Sequence, residues 1–206
     1  MTVFVLPQVL FSTYIFMETV ATAWSSKYNI WCEPPHSTLS QSGRRMAIAS
    51  WLFYISKYID LLDTFFIILK GNRHQISVLH VFHHSTMVLN SWMGVRHAPT
   101  GHSFFIHLAN SFVHINMYSY YFLSSFGKWI KPFLWWKTYL TQMQIIQFFL
   151  MFGHMVIGFY NDCPLPRPLA KSVLIYLVVL IILFLNFYMK TYCFGKVSRR
   201  SKVKGQ

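Results

Sequence analysis

Three histidines lie close together in the segment LHVFHH, at His80, His83 and His84. The spacing i, i+3, i+4 places all three side chains on one face of a helix. Imidazoles grouped in this way can bind a metal ion, shuttle protons or attack an electrophile. The alternative is that the three histidines are core residues hydrogen-bonded to their neighbours. A purely structural role explains a single histidine better than it explains three on one helical face.

A second polar group lies upstream in the segment KYIDLLDTFF, with Lys57, Asp60, Asp63 and Thr64. The spacing of Lys57, Asp60 and Asp63 again predicts one helical face. Carboxylates there could orient and charge the imidazoles, as an aspartate does in a catalytic triad. The alternative is an ion pair within the helix, Lys57 with Asp60, that only offsets its own burial.

A third polar stripe is formed by Asn110, His114, Met117 and Tyr118 in the segment NSFVHINMYSYY. Their spacing, i, i+4, i+7, i+8, is that of one helical face. His114 is thus a fourth imidazole, in addition to the three of LHVFHH, within a predicted membrane span. A packing stripe with an incidental histidine is the alternative.

Thr141, Gln144 and Gln147, in the segment TQMQIIQ, form the fourth group. We expect the two amides to contribute to a binding site. Glutamines can also join membrane helices without any role in catalysis, and the sequence leaves both interpretations open.

The composition indicates that these groups lie within a membrane. Of 206 residues, 54% are hydrophobic and 11% are charged, against about 25% charged in soluble domains. So much apolar surface excludes a disordered chain, and so few charges leave little to cover a soluble globule. Aromatic residues, at 19%, suit the belts of a membrane interface.

Six apolar stretches are near the length of about 20 residues that a spanning helix needs. The sequence therefore predicts an all-α integral membrane protein in which about six transmembrane helices surround a narrow tunnel, closed toward the lumen. We expect one transmembrane domain over residues 1–192 and a basic cytosolic tail over 193–206. The predicted spans are 3–24, 46–69, 78–95, 104–124, 133–156 and 172–189.

The net charge is +13, but the basic residues lie at the ends of apolar stretches, as the positive-inside rule requires. We therefore expect no nucleic-acid partner. The basic tail predicts a cytosolic C-terminus. The chain ends in KVKGQ, a dilysine-type signal that predicts an endoplasmic reticulum membrane protein.

This orientation places Cys32 and Cys163 in two different lumenal loops. The lumen is oxidising, so a disulfide between them is expected, whereas Cys193 is expected to be a free thiol. The loop histidines His36 and His102 are expected to be solvated.

The same orientation places the polar groups at compatible depths. The LHVFHH histidines lie just inside the cytosolic end of their span, Asp60 and Asp63 in the cytosolic half of theirs, and His114 and Gln144 nearer the middle. One polar chamber open to the cytosol would contain them all. The apolar remainder of each helix could line a tunnel for a long hydrocarbon chain.

In this order and spacing, the four groups resemble the ELO family of very-long-chain fatty acid elongases. The motifs are K-x-x-D-x-x-D-T, H-x-x-H-H, N-x-x-x-H-x-x-M-Y and T-x-x-Q-x-x-Q, at 57–64, 80–84, 110–118 and 141–147. Two features depart from the family. The family usually has glutamate at the position of Asp60, and it has seven spans, of which this chain begins at what resembles the second.

The resemblance implies condensation of a long-chain acyl-CoA with malonyl-CoA to a 3-oxoacyl-CoA two carbons longer, with release of CO2 and CoA. It implies that His83 attacks the acyl thioester, forming an acyl-imidazole. His80 and His84, backed by Asp60 and Asp63, would position and polarise the substrates, and His114 would stabilise the enolate.

The resemblance also suggests the binding residues and partners. No bound cofactor or metal is expected, and the substrates contact the protein directly. The other microsomal enzymes of the elongation cycle, the reductases and dehydratase, are expected partners, and a homodimer is left open. The expected substrate-binding residues are Lys57, Asn110, Tyr118, Gln144 and Gln147, with Lys70, Arg73, Lys137 and Lys190 near the CoA phosphates.

Two other functions compete with this one. A membrane di-iron desaturase or hydroxylase also uses H-x-x-H-H, but it needs about eight histidines in three groups, and this chain has one group plus His114. A transporter, a scaffold or a truncated, non-catalytic paralogue would keep polar groups within spans without performing the reaction.

Overall fold

A computed structural model describes residues 2–69 and 78–194, apart from the side chains of 2–4, 63, 64, 66–69, 131 and 194. Within these ranges the chain is helical and contains no strand. Two short 3-10 helices, Gly101–Ser103 and Lys128–Leu134, and a π-helical turn, Met189–Phe194, lie between or after the longer helices. The six α-helices are α1 Thr2–Ser25, α2 Gln41–Leu69, α3 Val78–His97, α4 Phe104–Ser124, α5 Lys137–Tyr160 and α6 Arg167–Tyr188.

Each predicted span overlaps one of these helices, so the all-helical prediction is confirmed. Helices α2 and α6 begin at Gln41 and Arg167, five residues before the spans predicted from 46 and 172. The first turn of α2 contains Gln41, Ser42 and Arg44, and that of α6 begins with Arg167. These residues lower the local hydropathy, so the apolar stretches start later than the helices. Two stretches of the described chain are long and apolar enough to cross a membrane, Pro132–Tyr160 and Arg167–Cys193, with mean hydropathies of 1.4 and 2.5.

The helices pack as a ring in the order α1, α2, α3, α6, α5, α4, and α1 closes it against α4. Helices α2 and α4 also contact each other across the ring. This contact separates α1 from the space that the other five helices enclose. At the α1–α2 contact, the guanidinium of Arg45 donates to both carboxylate oxygens of Glu18, at 2.6 and 3.0 Å.

The core is apolar on both sides of the enclosed space. Phe148, Met151, Leu177 and Leu180 form its main cluster between α5 and α6. A smaller cluster of Ile15, Phe53 and Met87 joins α1, α2 and α3. Between membrane helices, the van der Waals contacts of such closely packed side chains hold the helices together, and the packed bundle positions its polar groups.

The loops at the end of the bundle predicted to be lumenal are tied together. Cys32 and Cys163 form a disulfide with a Cα–Cα distance of 5.5 Å, and Cys193 is an exposed free thiol. Gly101 has φ +78°, and a Cβ there would lie 2.9 Å from the backbone of Pro35. Glycine alone adopts this conformation at so close an approach without strain.

His102 is buried, at 3% exposure, so the expectation that it is solvated is wrong. The ring of His102 stacks on that of His154 with centroids 3.9 Å apart. The Nε2 of His102 lies 3.1 Å from the backbone carbonyl oxygen of His154. Burial lowers the pKa of His102. The ring occupies space left by Gly158, where a Cβ would lie 2.2 Å from Nε2.

Candidate active site

Asp60 is the centre of a buried polar cluster formed by side chains of α1, α2 and α4. Its Oδ1 accepts hydrogen bonds from Gln8 Nε2 at 2.9 Å and from the hydroxyl of Tyr118 at 2.8 Å. Its Oδ2 accepts from Lys57 Nζ at 3.1 Å. Lys57 Nζ also donates to Asn110 Oδ1 at 2.7 Å. We call these five residues the Asp60 cluster; each is at most 3% exposed.

The Asp60 cluster satisfies the conditions under which a buried ion pair is tolerated. Lysine and carboxylate face each other, and neutral donors occupy the other carboxylate oxygen. Losing one member of such a network leaves a buried group unsatisfied, which costs more than the bond itself contributes. The Asp60 cluster is therefore expected to be rigid, and it can hold a side chain that faces Asp60 Oδ2 in a fixed position.

His114 lies on the Oδ2 side of Asp60. Its Nδ1 is 3.6 Å from Asp60 Oδ2, which is an electrostatic contact rather than a full hydrogen bond. The ring packs edge-on against Tyr118, with centroids 5.6 Å apart, and it is 7% exposed. The fourth imidazole therefore points into the bundle and not toward lipid.

The LHVFHH histidines share one face of α3. The ring of His84 lies 4.4 Å from that of His80 and 5.4 Å from that of His83, between centroids. The ring of His83 also meets the edges of Phe148 on α5 and Phe184 on α6, at 6.0 and 5.9 Å. Apolar walls thus surround the central imidazole of the motif.

The α3 histidines and the Asp60 cluster belong to the same site. The carboxylate of Asp60 interacts electrostatically with His84 as well as with His114. His83 is within electrostatic range of His114 and of Lys57. His114 of α4 thus lies next to the buried carboxylate, His84 of α3 is within electrostatic range of it, and Lys57 balances its charge.

Two residues of the site were missed in the sequence. Gln8 belongs to the Asp60 cluster, and Tyr176 on α6 contacts α3. The hydroxyl of Tyr176 lies 3.0 Å from Thr86 Oγ1 and 3.5 Å from His83 Nδ1. Gln8 was visible as a lone amide in an apolar helix, a costly feature in a bilayer. Tyr176 gave no comparable signal, because tyrosine is common throughout this chain.

The glutamine motif contributes less than its spacing predicts. The Nε2 atoms of Gln144 and Gln147 each lie against a methionine sulfur, Met117 Sδ at 3.5 Å and Met151 Sδ at 3.3 Å. Sulfur is a weak acceptor. The structure gives neither amide a hydrogen bond to the Asp60 cluster, so the role of both in substrate binding stays a prediction.

The cationic residues expected near the CoA phosphates lie apart from the Asp60 cluster or outside the structure's description. Lys137 begins α5 and Lys190 follows α6, and both are exposed. Lys70 and Arg73 lie outside the described residues. Asp63 is on α2, but its side chain is also outside the description.

A narrow cavity of about 60 Å³ extends from the site into the apolar part of the bundle. Its walls include Asn110 and Tyr176 as well as Leu165 and Leu169. Its described walls come from α2 to α6, together with Ser103 and Leu165 beside them, and not from α1. Five helices, α2 to α6, therefore line this cavity. A second cavity has a volume of about 180 Å³, and Leu165 lines both cavities.

Among residues 2–69 and 78–194, no three His, Cys, Asp or Glu side chains are arranged to hold a metal ion. The geometry instead combines several imidazoles, a buried carboxylate–lysine pair and an adjacent apolar cavity. Such a site can activate a nucleophile and hold an apolar chain beside it.

Comparison with known proteins agrees with this arrangement. Residues 1–202 match the model of the ELO family, described as the GNS1/SUR4 family. The chain is 40% identical over 194 residues to very long chain fatty acid elongase 4 of Mus musculus, covering 94% of this chain and 62% of that protein. It is 41% identical over 184 residues to the Homo sapiens protein of the same name, covering 89% and 59%.

Very long chain fatty acid elongase 5 of Mus musculus is 43% identical over 191 residues, covering 93% of this chain and 63% of that protein. The chain thus spans less than two thirds of the length of these relatives. Both the family match and the identities extend over nearly all of this sequence. The chain therefore belongs to the ELO family, and it is a helical membrane protein of that family.

Proposed function

We propose that this protein condenses a long-chain acyl-CoA with malonyl-CoA, giving a 3-oxoacyl-CoA two carbons longer, CO2 and CoA. The observation that carries the proposal is His114 of α4 facing buried Asp60, with His84 of α3 within electrostatic range, beside an apolar cavity. The names of the relatives, very long chain fatty acid elongases, support the same reaction class.

In the first step, a ring nitrogen of neutral His83 attacks the carbonyl carbon of the acyl thioester. A C–N bond forms and the C–S bond breaks, and the proton of the other ring nitrogen passes to the departing sulfur. The products are an acyl-imidazole and CoA thiol. The apolar surroundings of His83 support this step, because exclusion of water protects an acyl-imidazole from hydrolysis.

In the second step, malonyl-CoA loses CO2, and the electrons of the broken C–C bond form an enolate at C2. The enolate attacks the acyl carbon, the C–N bond to His83 breaks, and the imidazole recovers a proton from water. Negative charge moves onto the thioester oxygen of malonyl-CoA during decarboxylation. A preorganised donor facing that oxygen would stabilise it most effectively.

His114 and Asn110 are the donors that we assign to this oxygen. Asp60 Oδ2 faces His114 Nδ1. Nε2 then donates to the substrate when the ring is protonated on both nitrogens, as an imidazolium paired with Asp60. Lys57 donates to the amide oxygen of Asn110, so the NH2 group points away from Lys57, and Asn110 lines the cavity. Lys57 thereby sets the orientation of the amide group that donates.

The acyl chain would occupy the cavity between α2 and α6, with Leu165 and Leu169 near its closed end. We further propose that residues 1–192 form one transmembrane domain in the endoplasmic reticulum, with both termini in the cytosol. Lys137 and Lys190 would then lie at the cytosolic mouth, where CoA phosphates enter. In the endoplasmic reticulum membrane, the protein would associate with the reductases and the dehydratase of the elongation cycle.

The experiment uses microsomes from cells that express the full chain. Malonyl-CoA labelled at C2 and a panel of acyl-CoAs are added, and products two carbons longer are measured. We expect the wild type to form them and His83→Ala to form none. His97→Ala is the matched control, because His97 is exposed at the end of the same helix.

Product formation by His83→Ala would show that the nucleophile is misassigned. A wild-type chain that is folded in the membrane but yields no labelled product from any acyl-CoA would overturn the function itself. Recovery of an acylated His83 peptide by mass spectrometry after incubation with acyl-CoA alone would support the order of the two steps.

A further inference from the structure

Gln8 belongs to the Asp60 cluster, although none of the four sequence motifs includes it. It lies in α1, which contributes no described wall to the cavity. Yet its side chain is 2% exposed, and its Nε2 reaches Asp60 Oδ1 at 2.9 Å. An amide buried this deeply among apolar neighbours is costly unless it is hydrogen-bonded.

The bond from Gln8 determines how the two oxygens of Asp60 are used. Oδ1 receives neutral donors, from Gln8 and Tyr118, whereas Oδ2 receives Lys57 and faces His114. The terminal torsion of a carboxylate side chain is soft. Without Gln8, Tyr118 is left as the donor to Oδ1, so the carboxylate is held less firmly and its contact with His114 Nδ1 weakens.

We propose that Gln8 is a positioning residue for Asp60, and that the two side chains are matched in length. The inference rests on the proposed condensation, since it concerns how the same site is assembled. Glutamine supplies the reach from α1, and aspartate is short enough to accept it while still meeting Lys57. Changing either length alone should break the arrangement.

Each single substitution changes the length of one side chain by one methylene, which moves its terminal group by about 1.5 Å. Gln8→Asn would lengthen the contact of 2.9 Å beyond any hydrogen bond. Asp60→Glu would push the carboxylate toward Gln8 in a cluster with no free space, although the family usually has glutamate there. The double variant Gln8→Asn/Asp60→Glu keeps the total length and should restore the bond.

The test compares these three variants with the wild type in the labelled malonyl-CoA assay. A hydrogen bond to a charged group supports a loss of roughly 10- to 100-fold in kcat for each single variant. We expect KM for acyl-CoA to change by less than about twofold, because Gln8 does not line the cavity. The double variant should recover most of kcat. Gln41→Asn is the control, since Gln41 is exposed at the start of α2.

Two further measurements separate positioning from packing. Gln8→Met keeps the volume and removes the donor, so it should lose kcat and should not be rescued by Asp60→Glu. The unfolding temperatures of all variants are measured in detergent, where the double variant should again be more stable than its two single changes predict. This coupling does not depend on catalysis.

The outcomes distinguish the two proposals. If the wild type forms no product while the unfolding temperatures show the coupling, the condensation is wrong and the Gln8–Asp60 pairing stands. If the losses in kcat multiply and the unfolding temperatures add, the pairing is overturned. Single variants with unchanged kcat overturn it as well.

Discussion

Lys57 should stabilise the protein mainly because it balances the buried charge of Asp60. Its Nζ lies 3.1 Å from Asp60 Oδ2 and 2.7 Å from Asn110 Oδ1, and its side chain is 3% exposed. Lys57→Met keeps most of the side-chain volume and removes the charge. The carboxylate is then left in the bundle with only its two neutral donors.

Removing one partner of a buried ion pair costs about 3–5 kcal/mol. For a chain of about 200 residues, each kcal/mol corresponds to about 2–4 °C in unfolding temperature. We therefore expect Lys57→Met to unfold about 6–20 °C below the wild type. The lower part of this range is favoured, because Gln8 and Tyr118 still donate to Asp60 Oδ1.

The double variant Lys57→Met/Asp60→Asn removes both charges and should recover at least half of this loss, since an uncharged buried pair carries a much smaller desolvation cost. Tryptophan fluorescence of the detergent-solubilised protein during heating measures both variants. Lys171→Met, at an exposed position in the first turns of α6, is the control. A double variant that is no more stable than Lys57→Met would refute the charge-balance argument.

Three further predictions concern the edges of the site and the loops. Tyr176→Phe removes the hydroxyl 3.5 Å from His83 Nδ1 and should lower kcat roughly 3- to 10-fold without lowering the unfolding temperature; an unchanged kcat would remove Tyr176 from the site. Leu165→Ala should join the two cavities that this side chain borders, and chromatography should show longer products, whereas an unchanged length distribution would contradict the proposed acyl path. Cys32→Ser and Cys163→Ser should lower the free energy of unfolding equally, by up to about 5 kcal/mol for a separation of 131 residues; unequal effects would mean that one cysteine acts outside the disulfide.

The helices and three of the four polar faces were predictable because their signals are local. Hydropathy and the spacing of LHVFHH involve residues within two turns of each other, and the helical repeat converts that spacing into a common face. The pairing of Lys57 with Asp60 is of the same kind, at i, i+3. The glutamine motif shows the limit of this reasoning, because Gln144 and Gln147 share a helix but contact methionine sulfurs.

Contacts between helices depended on the rotation and crossing of each helix, which its own sequence does not specify. Gln8 and Asp60 are separated by 52 positions, and His83 and Tyr176 by 93. Whether either pair meets depends on the packing of apolar faces around the ring. The same packing buries His102 beside Gly158, although it lies in a loop segment. The sequence alone thus determined which helices form and which chemical groups each one carries. Only tertiary packing decided which of those groups face one another, because that choice depends on surfaces far apart along the chain.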